Sequence, residues 1–374
     1  MRSWPMILGS TTALLGALSM VSCGGGGSSG GASMGTTATT TGFVATSLVS
    51  NVNSATNPYS GSNADPHLVN AWGIAFNPQG FVWVANNGTS TSTLYDGAGM
   101  PQSLVVSIPA GGAGPAKPTG IVFNGSSAFA VTQGGVSGAS AFIFAGEGGT
   151  ISGWSPTVNM TNAVIAVDNG AKGKIYKGLT IASVGGAPRL YAADFHNGVV
   201  DVFDGNFAPV VVGGAFVDPA LPAGYAPFGI QAIGNQIFVS YAKQDAQAQD
   251  EVGGIGLGAV NVFDTAGNLV QRLIPVGGKL NAPWAMVMAP AGFGSLANEL
   301  LVGNFGDGTI NAFNPTTGAF VGTLSNGNGT PMVFDGLWGL AFGNGINSQP
   351  TTTLFYAAGP ADESNGVYGR IDFH

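Results

Sequence analysis

Short apolar runs of about five residues, separated by clusters of Gly, Asn, Asp and Pro, recur along nearly the whole chain from Phe43 onward. The stretch Leu300 to Leu324 shows the unit best. Leu300–Gly303 is apolar, Gly306–Gly308 turns the chain, Thr309–Phe313 alternates sides, Asn314–Gly318 turns it back, and Ala319–Leu324 returns. Alternation with turn residues between the runs is the signal of antiparallel hairpins. The marker of each unit is an apolar strand entered through a small residue: WGIAF at Trp72, PTGIVF at Pro118, KGLTIA at Lys177, PFGIQAI at Pro227, PWAMVMA at Pro283 and WGLAF at Trp338. The small residues are Gly73, Gly120, Gly178, Gly229, Ala285 and Gly339, spaced 47 to 58 residues apart, the period of propeller blades.

Second strands are expected at Phe81, Ala128, Arg189, Gln236, Glu299 and Thr353, and third strands at Ser92, Gly149, Val199, Ala259, Thr309 and Val367. Fourth strands are expected at Leu104, Ala163, Pro209, Val270 and Ala319. The sixth unit has no fourth strand of its own, and the isolated strand Phe43–Ser50 can supply it. The expectation is an all-β, six-bladed β-propeller over residues 43–374, with four-stranded antiparallel blades and the last blade closed by the N-terminal strand.

Composition supports a real core. Sixty-three glycines and 7% charged residues suggest low complexity, but 45% hydrophobic residues require burial, so the glycines are read as turn residues. The net charge of −8 with ten scattered Lys and Arg lacks the footprint of a nucleic-acid binder. Residues 1–23 read as a lipoprotein-type signal peptide: Arg2, an apolar run Met6–Met20, then Val21-Ser22 before Cys23, the only cysteine and the candidate lipidation site. Ordinary signal cleavage near Ser22 is the alternative. Residues 24–42 are a Gly/Ser/Thr-rich flexible tether. The chain is therefore expected to be exported and held at the cell envelope, on the outer membrane or surface, touching membrane only through a lipid. Periplasmic or secreted protein is the alternative.

The strings GNFGDGTINAFNPTTG, LVNAWGIAF, YAPFGIQ, DFHNGVVDVFDGNF, SYAKQD and APAGFG, with the six-unit layout, resemble an uncharacterised bacterial family of exported six-bladed propellers, distantly similar to NHL-repeat propellers. The resemblance implies a fold and an exported location, and brings no catalytic residue with it.

Chemistry on a propeller is expected where the loops entering first strands meet those leaving second strands. Candidate ligand-binding residues there are His67, Trp72, Asp194, His196, Lys243, Trp284 and Trp338. Asn86, Asp194 and Asn304, at matching places after second strands, are candidate oxygen ligands of one calcium ion. Their competing role is to bond their own turns. The three tryptophans share one repeat position and could form a stacking ring or pack between blades. The charged loop from Lys243 to Glu251 is long enough to bind something. No Ser, His and Asp set has nucleophile spacing, and Gly303–Gly308 lacks the lysine of a phosphate loop. The expected function is binding of a protein or carbohydrate at a channel mouth by a monomer, without catalysis. The alternative is a calcium-dependent hydrolase, lactonase-like, or a lyase.

Overall fold

The computed structural model describes residues 42–374 apart from Ala55, so the signal, Cys23 and tether readings lie outside the described residues. The described chain is all-β, with 3₁₀ turns at Gly170–Lys172 and Gly294–Leu296. It forms six blades of antiparallel sheet, and in each the strand that begins with the repeat marker is an edge.

Blade one is Ala71–Phe76, Val82–Asn86, Thr91–Tyr95 and Pro101–Ser107 in spatial order. Blade five, Pro283–Met288, Leu300–Asn304, Ile310–Phe313 and Phe320–Thr323, repeats it, as does blade four with Tyr225–Ile233, Gln236–Gln244, Gly258–Asp264 and Leu269–Ile274. Blade six joins Leu337–Phe342, Leu354–Ala358 and Val367–Phe373 to the N-terminal strand Phe43–Ser50. That closure is antiparallel, Phe43 opposite Phe373 and Ser50 opposite Val367, with a bulge at Ser47 to Val49.

Two blades depart from the expected pattern. In blade two the second strand is Phe142–Gly146, between Pro118–Phe123 and Thr150–Trp154, with Val164–Asp168 outermost. The run at Ala128 instead folds back on Val136–Ala139 as a separate hairpin across Gly134 and Gly135, both at positive φ. Gln133 therefore lies in that hairpin. In blade three Tyr176–Val184, Ala187–Asp194 and Val199–Phe203 pair fully, but the fourth run contributes only one bridge, Phe203 to Pro209. Pro209 has no amide proton to continue a ladder.

The core is divided among the blade interfaces. Six apolar clusters each join neighbouring blades: Trp83 stacks on Phe142 between blades one and two, at 4.2 Å, and Tyr95 on Tyr368 between blades one and six, at 5.2 Å. A seventh, holding Trp72, Phe195, Phe228 and Trp338, draws on blades one, three, four and six. At the axis the glycines of five markers are dictated by close contact with the neighbouring strand, while blade five carries Ala285. A Cβ on Gly229 would fall 1.9 Å from Trp284 O, and one on Gly339 2.3 Å from Trp72 O. Neighbouring innermost strands thus approach too closely for a side chain. They leave a cavity of about 50 Å³ lined by Gly73, Gly120, Gly178, Ala285 and Gly339, enough for a little water.

Candidate functional site

The residues that lead into the first strands close the channel with aromatic rings. Trp72 stacks on Trp338 at 3.4 Å, Trp284 meets both edge-on, and Phe305 stacks on the other flank of the cluster at 4.0 Å from Trp338. The three tryptophans are brought together as a plug, and Trp72 and Trp338 are buried.

Against this plug lies Lys177, which enters the first strand of blade three. It is 1% exposed, and its ammonium stands 5.3 Å over the Trp72 ring and 6.0 Å over Phe195. Its direct partners are Glu147 Oε1 at 2.5 Å and Asp250 Oδ1 at 3.2 Å. Burial disfavours its charge, but Glu147, Glu251 and Asp250 outweigh that and hold it protonated beyond the ordinary lysine range. Burial likewise raises Glu147, and Lys177 more than reverses it, so Glu147 stays ionised.

The network then runs round the mouth. Asn87 Nδ2 donates to Glu147 Oε2 at 3.0 Å, Asn70 Nδ2 to Asn87 Oδ1 at 3.3 Å, and Trp72 Nε1 to Asn70 Oδ1 at 2.9 Å. Trp284 Nε1 donates to the Lys177 carbonyl. Glu363, beyond the second strand of blade six, is acted on by Asn70, Glu147, Lys177 and Asp250. Glu147, Glu251 and Glu363 thus come from loops of blades two, four and six, alternate blades about one lysine.

Two of these carboxylates are incompletely matched. Glu251 Oε2 and Glu363 Oε1 are sealed from solvent without a hydrogen-bond partner, as is Trp338 Nε1 in the plug. Burial, helped by Glu363 and Asp250 against Lys177, pushes Glu251 up to about 7. Burial and Glu147 push Glu363 up as well. A buried polar atom left unmatched is costly, so three at one mouth mark a place where a further partner would be favoured.

The residues expected from the sequence fall differently. His67 is half-exposed and bonded to Asp65, whose other oxygen accepts from Tyr95 at 2.8 Å. His196 Nδ1 donates to Ala248 O at 3.0 Å, and Asp194 pairs with Lys174 at 2.9 Å and accepts from Asn197. Lys243 lies over the Tyr225 ring and donates to Ala223 O. Of the proposed calcium ligands, Asn86 donates to Thr91 and Thr93, and Asn304 to Lys279 O and Thr309. Asp194 and Asn304 spend their polar groups within their own blades, whereas the buried Asn86 Oδ1 has no hydrogen-bond partner. Among the described residues no three His, Cys, Asp or Glu side chains are spaced to hold a metal.

Lys177, at the entry to a first strand, and Glu251, in the charged loop, were visible from the sequence. Glu147 was not, because it follows a second strand that the Ala128 run obscures. The signal that could have found it is AFIFAGEGGTI, an apolar run and turn directly before the third strand.

No family model matches the chain. Two proteins of Acanthamoeba polyphaga mimivirus do: uncharacterized protein L690, 36% identical over 83% of this chain and 82% of that protein, and uncharacterized protein R648, 33% identical over 83% and 76%. Among solved structures, a structural genomics protein of unknown function from Bacteroides thetaiotaomicron superposes with a TM-score of 0.54 at 10% identity, covering 89% of this chain and 76% of that one. A streptogramin B lyase superposes with a TM-score of 0.50 at 12% identity over 89% and 98%. At such identities these likenesses concern the six-bladed fold alone.

Proposed function

We propose, for a chain that belongs to the family of the mimivirus proteins L690 and R648, that it is a binding propeller whose ligand is taken at the mouth around Lys177. The observation that carries this reading is the set of unmatched buried atoms there, Glu251 Oε2, Glu363 Oε1 and Trp338 Nε1. The ligand is polar, with donors for the two carboxyl oxygens and an acceptor for Trp338 Nε1, such as a sugar or a polyol, since carboxylates outnumber lysines and would repel an anion. A thermal-shift panel of sugars, polyols, amines and organic anions tests it. The expected result is stabilisation by a donor-rich compound, weakened in Glu363→Gln, and none by the anions. A panel with no hit, or hits indifferent to Glu363→Gln, would overturn it.

The chain's start supports an exported, envelope-held setting, with Cys23 as the lipid acceptor. Membrane fractionation of Cys23→Ala checks this: the variant should move to the soluble fraction, and unchanged partition refutes the anchor. A second reading is favoured by one observation. A carboxyl pushed up to about 7 beside a lysine, as Glu251 is, suits general acid–base work at neutral pH. Turnover of the bound compound that is lost in Glu251→Gln would replace binding by catalysis.

A further inference from the structure

Between the second and third strands of blade four the chain makes a detour from Asp245 to Val252 that passes over the mouth. The detour is held to itself by Asp245, whose Oδ1 accepts from the amides of Gln247 and Gln249, and to its own blade by a two-residue pairing of Glu251 and Val252 with Gln244 and Lys243. Its links to the site are few: His196 donates to Ala248 O at 3.0 Å, Lys177 to Asp250 at 3.2 Å, and the Glu251 carboxyl sits with one oxygen sealed and unmatched.

We propose that this segment is a proton-latched strap over the ligand site, closed when the Glu251 carboxyl is protonated and released when it ionises. The inference rests on the binding reading above, as regulation of that same mouth. The groups that face Glu251 decide its sign. Lys177, from blade three, attracts the ionised form; Asp250 beside it and Glu363, from blade six, repel it. Glu147, from blade two, already engages Lys177, while Lys243 and His196 meet the strap at its other side through Val252 and Ala248. With Lys177 engaged twice and Glu251 Oε2 cut off from water, ionisation in the closed strap is penalised, and opening returns the carboxylate to solvent.

The closed carboxyl is raised to about 7, against an ordinary glutamate of 4.5 when open. A raised acid stabilises the closed form fully below the open value, and that stabilisation is lost as pH rises to the closed value. Opening therefore grows through the interval from about 4.5 to about 7, by at most about tenfold per pH unit for one proton, and levels off above it.

Hydrogen exchange of the full chain, expressed as protection relative to intrinsic rates, reads this on peptides covering residues 245–252. Protection in the wild type should fall several-fold between pH 5 and pH 7 and then flatten, while peptides from blade one stay level. Glu251→Gln should remain protected and flat across the range. Glu363→Gln, which removes one repelling carboxylate, should shift the fall to lower pH. A strap flat with pH in the wild type, or an unchanged slope in Glu251→Gln, overturns the proposal. Binding is measured separately by the compound panel: a strap that titrates in a protein with no ligand would keep this inference and end the binding reading, and a flat strap in a protein that binds would do the reverse.

Discussion

Lys177 is 1% exposed and yet charged, which the surroundings permit only because Glu147 and Asp250 bond it directly and two aromatic faces lie beside it. A buried pair of this kind gives little net stability when both members are present, but removing one leaves the other charged and unmatched. Lys177→Met should accordingly destabilise the propeller by about 3–5 kcal/mol. The double variant Lys177→Met with Glu147→Gln should recover much of that loss. Urea unfolding of the two variants checks it, and equal stability of single and double would show that Glu147 does not depend on the lysine. Residues of this sort were only half legible. The small residues from Gly73 to Gly339 announced themselves by spacing, since close contact at the axis admits only glycine at five of the six positions, the other carrying Ala285. Lys177 announced only that it enters a strand. That its ammonium meets a glutamate thirty positions earlier depends on how two blades face each other.

Among the elements, hydrophobic alternation located the strands well where one apolar run serves one strand. It failed in blade two, where two apolar runs compete for one place. Ala130–Gln133 pairs locally across a tight Gly134-Gly135 turn, and Phe142–Gly146 takes the central position. The winning run carries Phe142 and Phe144, both buried against blade one, whereas Ala130, Thr132 and Gln133 are exposed. The Ala128 run instead buries Phe129 and Val131 in the cluster shared with blade three, Phe129 meeting Phe207 at 5.1 Å, and leaves the central place to Phe142 and Phe144. The cost of misplacing that strand fell on function, because the loop after it delivers Glu147. The fourth run of blade three shows the other limit. Val210 to Val212 has the composition of a strand but sits at an outer edge, with Val211 fully exposed, where no neighbour beyond it rewards pairing.

Across the whole molecule, closure by Phe43–Ser50 and the inter-blade clusters make a rigid ring, and the ring sets six loops around one opening. The fold was legible because repetition states it six times. The site was not, because the blades contribute different residues: a lysine from one, glutamates from three, asparagines from another, with no shared motif. Asn86, Asp194 and Asn304, which do share a position, bond within their own blades, with only the Asn86 Oδ1 left unmatched. Repetition therefore marks the scaffold here and departure from it marks the site. The claim that the mouth is a ligand site is tested most directly by a crystal structure grown with the compound that most stabilises the protein. The account predicts that compound at the mouth, with a donor on Glu251 Oε2 or Glu363 Oε1 and Lys177 still paired to Glu147. The same compound bound elsewhere on the propeller, with only water against those two oxygens, would contradict it.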